Sequence, residues 1–76
     1  MEMDRETVAI LQTLYNNEIN FRISCFWDAG FRIEIGDEIN GFKASDDHHY
    51  GINNAVDALW ALARGIYPDL ILHGND

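Results

Sequence analysis

Near the start of the chain the apolar residues Val8, Ile10, Leu11, Leu14 and Tyr15 recur at three- and four-residue spacings, the pattern of a helix with one buried stripe. The spacing predicts a helix over about 4–17. Asp4 stands where an N-cap belongs, Glu2, Asp4 and Glu6 suit the positive end of the helix dipole, and Asn16-Asn17 supplies a stop. The period then falls to two. Ile19, Phe21, Ile23, Cys25 and Trp27 alternate with Asn20, Arg22, Ser24 and Phe26, which predicts a strand over about 18–27 with one buried face.

Asp28-Ala29-Gly30 reads as a three-residue hairpin loop in which Gly30 takes the left-handed conformation. Phe31, Ile33 and Ile35 resume the alternation in a strand over about 31–36. Such a loop sets Ile23 opposite Ile35, Cys25 opposite Ile33 and Trp27 opposite Phe31, all on the inner face. On the outer face it sets Ser24 opposite Glu34 and Phe26 opposite Arg32. A turn within Gly36 to Gly41 leads to a third strand over about 41–46, with Phe42 and Ala44 inward and Lys43 outward beside Glu34. An Asn40-Gly41 turn is the alternative, and it brings Glu34 near Asp47, two like charges.

Ile52, Ala55, Val56, Leu59, Leu62, Ala63 and Ile66 mark a second amphipathic helix over about 50–65. Gly65 can end it in the left-handed conformation, Pro68 stops its continuation, and residues 66–76 form a short tail held by Leu70, Ile71 and Leu72. Trp60 lies beside the stripe, either as a flank of the core or as an exposed anchor. The order is helix, three strands, helix. A sheet with one apolar face and two helices with one stripe each predict a single α+β domain over 1–76. Its architecture is two-layer α-β-β-β-α, a three-stranded antiparallel meander with both helices packed on one face.

Composition narrows the partners. The 76 residues hold 13 acids against 5 bases, a formal charge of -8, which opposes the phosphate backbone that nucleic-acid binders neutralise. Cys25 is the only cysteine, so one chain can form neither a disulfide nor a cysteine-built zinc site, and a reducing cytoplasm suits it. MEMDRETVAI lacks the basic start and apolar run of a signal peptide, and no stretch is apolar enough for a membrane span. The expectation is a cytoplasmic protein that binds neither nucleic acid nor membrane.

The segment ASDDHHYG (44–51) carries the densest chemistry. Asp46, Asp47, His48 and His49 could bind a transition metal, with His73 converging from the tail, or move protons. Adjacent side chains diverge, however, and no His-x-His or His-x-x-x-His spacing is present. The ordinary reading is a connector in which Asp46 or Asp47 caps the second helix. No catalytic constellation is legible: Cys25 alternates with core residues, Ser24 and Ser45 lie on the outer face without a histidine set nearby, and there is no phosphate-cradling loop. Neither a cofactor nor an enzymatic activity is expected.

The outer face gathers Arg22, Arg32 and Lys43 around Phe26, three of the five bases. Read as structure, they form cross-strand pairs with Glu34 and a cation stacked on Phe26. Read as function, this face or a free sheet edge docks another protein, or a second copy as a homodimer. A small non-enzymatic interaction or regulatory module is therefore the leading expectation. The alternatives are a metal or acid-base site at Asp46 to His49, and an acidic mimic of nucleic acid that engages a basic protein.

The element order is similar to that of double-stranded-RNA-binding domains. That resemblance implies RNA binding through a lysine-rich cluster at the start of the second helix, but here Asp46-Asp47-His48-His49 stands in its place. The chain also resembles small uncharacterised proteins of proteobacteria and their phages. The resemblance rests on Phe26-Trp27-Asp28-Ala29-Gly30-Phe31, on Gly36-Asp37-Glu38-Ile39-Asn40-Gly41-Phe42-Lys43-Ala44, and on Tyr67-Pro68-Asp69 after an alanine-rich helix. It spans roughly residues 6 to 70 and implies no activity, ligand or site.

Overall fold

The computed structural model describes residues 2–72. Helix α1 runs over Arg5–Asn16, strands β1, β2 and β3 over Phe21–Phe26, Gly30–Asp37 and Gly41–His49, and helix α2 over Ile52–Ile66. The strands form one antiparallel sheet in the order β1-β2-β3, and the fold is α+β with the expected order.

Helix α1 begins as its sequence predicts: the Asp4 carboxylate accepts the Thr7 N–H at 2.8 Å, satisfying a donor that the first turn leaves without a partner. It ends in a Schellman turn, in which Ile19 N–H donates to Leu14 C=O at 3.0 Å and Glu18 N–H to Tyr15 C=O at 3.1 Å. Glu18 occupies the left-handed position at φ 57°, where glycine is usual. Asn53, at the start of α2, joins the two helices, because its Oδ1 accepts both the Asp4 N–H at 3.0 Å and the buried Thr7 hydroxyl at 2.7 Å.

The core lies between the layers. Ile10 and Leu14 of α1, Ile33 and Ile35 of β2, and Val56 and Leu59 of α2 are fully buried in one cluster, each contributing about 1.5–3 kcal/mol through removal of apolar surface from water. Helix α2 lies against β2 and β3, and α1 leans on α2. The inner face of β1 is consequently the least covered. Phe21 and Ile23 are half-buried and Cys25 is exposed, which corrects the expectation of a core cysteine. Trp60 is half-buried at the core margin, with the Arg64 guanidinium 5.9 Å from its ring centre.

The strand registers differ from those expected. The β1–β2 loop is Trp27-Asp28-Ala29, and Gly30, at φ 89°, is already paired with Phe26. The left-handed glycine thus opens β2 instead of closing the loop, which moves every partner by two positions while keeping the faces. Ile23 sits opposite Ile33, Cys25 opposite Phe31, Ser24 opposite Arg32 and Arg22 opposite Glu34. Trp27 leaves the sheet and stands in the turn, 93 % exposed.

Strand β3 pairs with β2 through two register shifts. At the first, Phe42 is opposite Gly36 and Ala44 opposite Ile35, so Lys43 is an extra residue. It reaches Tyr67 at the end of α2, with Nζ 3.5 Å from the hydroxyl, and does not sit beside Glu34. At the second, Asp47 and His48 together span one position of β2, and His48 takes φ 64°. This bulge lets β3 continue to His49. Residues 44–51 are therefore mostly strand, and α2 is capped by Gly51 without a side-chain bond, not by Asp46 or Asp47. At the far end Gly65 is helical; the helix closes with Tyr67 N–H donating to Ala63 C=O at 2.7 Å.

Candidate interaction surface

The outer face of the sheet is organised by Glu34, whose side chain is only 7 % exposed although no helix covers it. Arg22 accounts for this. Its Nε and Nη2 both lie 2.9 Å from Glu34 Oε1, and its Nη1 lies 3.1 Å from Glu38 Oε1. From the other side Arg32 Nε approaches Glu34 at 3.7 Å, while Arg32 Nη1 donates to Asp47 Oδ2 at 3.1 Å. The Arg22 guanidinium also stacks over the Phe42 ring at 4.7 Å, a cation–π contact on the outward side. Hydrogen bonds from Arg22 to Glu34 first and Glu38 second hold its pKa above the ordinary arginine value.

Of the four residues expected to share a contact face, Arg22 and Arg32 meet around Glu34. Phe26 stands at the hairpin end opposite Gly30, and Lys43 turns to Tyr67. The face is thus a lattice of opposite charges in which Arg22 and Arg32 are both paired within the chain.

The acid and histidine cluster divides into two pairs. His49 Nε2 donates to Asp46 Oδ2 at 2.9 Å, and His48 Nε2 lies 3.5 Å from Asp47 Oδ1, while Asp47 also serves Arg32. The His49 hydrogen bond, followed by the Asp47 backbone N–H, holds the Asp46 carboxyl below its ordinary pKa. Among the described residues no group of three or more His, Cys, Asp or Glu side chains is placed to hold a metal ion, and His73 lies outside them. Likewise, among the described residues no helix is long and apolar enough to cross a membrane.

Sequence periodicity missed the aromatic end of the sheet. Phe26 is 61 % exposed, Trp27 93 % and Tyr50 67 %. Gly30 brings them together: it pairs with Phe26, and a Cβ placed on it would lie 3.3 Å from Tyr50 Cδ1. Beside this end runs the edge of β1, which among the described residues no other strand pairs. Near the opposite end of β1 an open cleft of about 580 Å³ is lined by Tyr15, Asn16, Glu18, Ile19, Asn20 and Phe21. The signal that could have found the aromatic end is the run Phe26-Trp27 directly before a turn, where a strict alternation assigns one of the two rings to the core.

Comparison with protein-family models, with curated proteins and with solved structures finds no match to this chain.

Proposed function

We propose that this chain is a small non-enzymatic protein-interaction module that docks through β1 and the aromatic residues at its hairpin end. The observation that carries this reading is the grouping of Phe26, Trp27 and Tyr50, all largely in water, beside an unpaired strand edge. Exposed aromatic side chains are the usual energetic centres of protein interfaces, since each buries a large area at a low entropic cost. An unpaired edge adds backbone hydrogen bonds to such a contact. The charge lattice around Glu34 engages Arg22 and Arg32 within the chain, which leaves the exposed aromatic residues as the groups available to a partner.

The test is affinity capture from the native host with the wild-type chain and with a Phe26→Ser, Trp27→Ala, Tyr50→Ser variant of unchanged circular dichroism. The bound protein should be lost from the variant. A partner retained equally by both would overturn this surface.

A further inference from the structure

The two edges of the sheet are built differently. Strand β3 has two register shifts, a left-handed His48 and the charged residues Lys43, Asp46 and Asp47, all features that blunt an edge against pairing. Strand β1 has no shift and no proline over its 6 residues. Its one charge, Arg22, is held by Glu34 and Glu38. Gly36 N–H donates to Asn20 C=O at 2.7 Å, and the alternation of an antiparallel ladder then turns the backbone groups of Arg22, Ser24 and Phe26 toward β2. Those of Phe21, Ile23 and Cys25 face the open edge.

We propose that a second copy of this chain occupies that edge, antiparallel, with Ile23 facing its own counterpart across a two-fold axis. This names the partner for the docking surface above and rests on that reading. The register follows from three observations. It pairs every edge-facing residue of β1 with another: Phe21 with the partner's Cys25, Ile23 with the partner's Ile23, and Cys25 with the partner's Phe21. It continues the half-covered apolar face from one sheet to the other, where Phe21 and Ile23 are half-buried and Cys25 is exposed. It also brings the turn that carries Trp27 to the far end of the partner's β1, beside the cleft lined by Tyr15, Ile19 and Phe21. The most exposed aromatic of one copy thus comes beside an open cleft of the other, and symmetry makes the contact twice.

Within β1 charge does not oppose the pairing, because each Arg22 faces the partner's Ser24 and is neutralised within its own chain; just beyond the strand, however, the same register brings Asp28 near the partner's Glu18, two acids that repel. At long range the formal charge of -8 on each copy repels, so the dimer tightens as salt rises, the reverse of binding to a basic partner.

Sedimentation or light scattering across a concentration series tests the proposal. The wild-type chain of 8.7 kDa should reach twice its mass. Cys25→Lys, at a side chain exposed in the single copy, should keep the circular dichroism of the wild type yet remain monomeric and lose any dependence of its melting on concentration, and Trp27→Ala should weaken association by about tenfold or more. Ile23→Cys in a Cys25→Ser background should form a disulfide-linked dimer under mild oxidation, since directly paired residues of a hydrogen-bonded pair stand about 5.5 Å apart at Cα, within the reach of a disulfide. A wild-type dimer indifferent to Cys25→Lys, or native Cys25 linking faster than the engineered cysteine, would overturn the pairing. A monomer that still captures another protein through Trp27 would sink the second copy alone, and a monomer that captures nothing would sink both readings.

Discussion

Arg22 grips Glu34 from the neighbouring strand by placing two nitrogens on a single carboxylate oxygen, both at 2.9 Å. This covers a charge that would otherwise face water on an unprotected sheet. Glu34→Ala removes the carboxylate that Arg22 and Arg32 share and leaves them only their exposed partners Glu38 and Asp47, and should destabilise the fold by roughly 2 kcal/mol, below the range for a fully buried pair because both arginines stay partly in water. The midpoint of urea unfolding measures it, and Glu34→Gln should fall between the two.

Glu18 holds a left-handed conformation at φ 57° in the turn that ends α1. That conformation costs a residue with a Cβ about 1–2 kcal/mol relative to glycine. Glu18→Gly should therefore raise stability by about 1 kcal/mol while leaving the rest of the chain in place, as read from the thermal midpoint.

Gly30 combines φ 89° with a neighbour that leaves no room, since a Cβ there would lie 2.6 Å from the His49 carbonyl oxygen. Gly30→Ala should cost about 3 kcal/mol or more from backbone strain and displaced strands together. Gly65→Ala, where nothing lies within 4 Å of the added carbon, should instead stabilise α2 by about 0.5–1 kcal/mol.

Asp37 accepts the Asn40 and Ile39 backbone N–H groups and the Asn20 side-chain amide. These bonds, the Asn40 N–H first, hold its carboxyl below the ordinary value of 3.8, as the His49 bond does for Asp46. A folded-state pKa below the unfolded one contributes stability that is fully present above the unfolded value and is lost as the pH falls through the folded one. The thermal midpoint should hold steady from neutrality to about pH 5 and then fall through the region below 3.8. Asp37→Asn should flatten the acid limb, and an unchanged acid limb in that variant would remove Asp37 from the account.

The two periodicities were enough to place both helices, all three strands and the inner face of β1 and β2, because a half-buried element must alternate or repeat to keep its apolar side inward; Phe42, expected inward, is turned by the extra residue Lys43 to the outer side under Arg22. The registers were not legible. Gly30 could close a loop or open a strand with the same left-handed φ, and only the packing of Tyr50 and His49 around it selects the second. The bulge at Asp47-His48 reads as a connector because two charged residues and a positive φ break the alternation. For the candidate surface, Phe26, Arg22 and Arg32 were visible as outward positions, but Trp27 was drawn into the core by a pattern that ends one residue earlier. Cys25 fits the inner pattern and is still exposed, since α2 lies over β2 and β3 and leaves β1 at the margin.

The contacts of Asn53 with Asp4 and Thr7 have a consequence during synthesis. Helix α1 leaves the ribosome before α2, yet its buried side rests on α2, and the hydrogen bonds that join the two helices cross 49 and 46 positions of chain. Until α2 has left the exit tunnel, Ile10, Leu14 and the inner face of the meander have no second layer to close against. The segment that carries α2 therefore decides when folding completes, and a stalled nascent chain lacking α2 should be digested by protease as readily as an unfolded one.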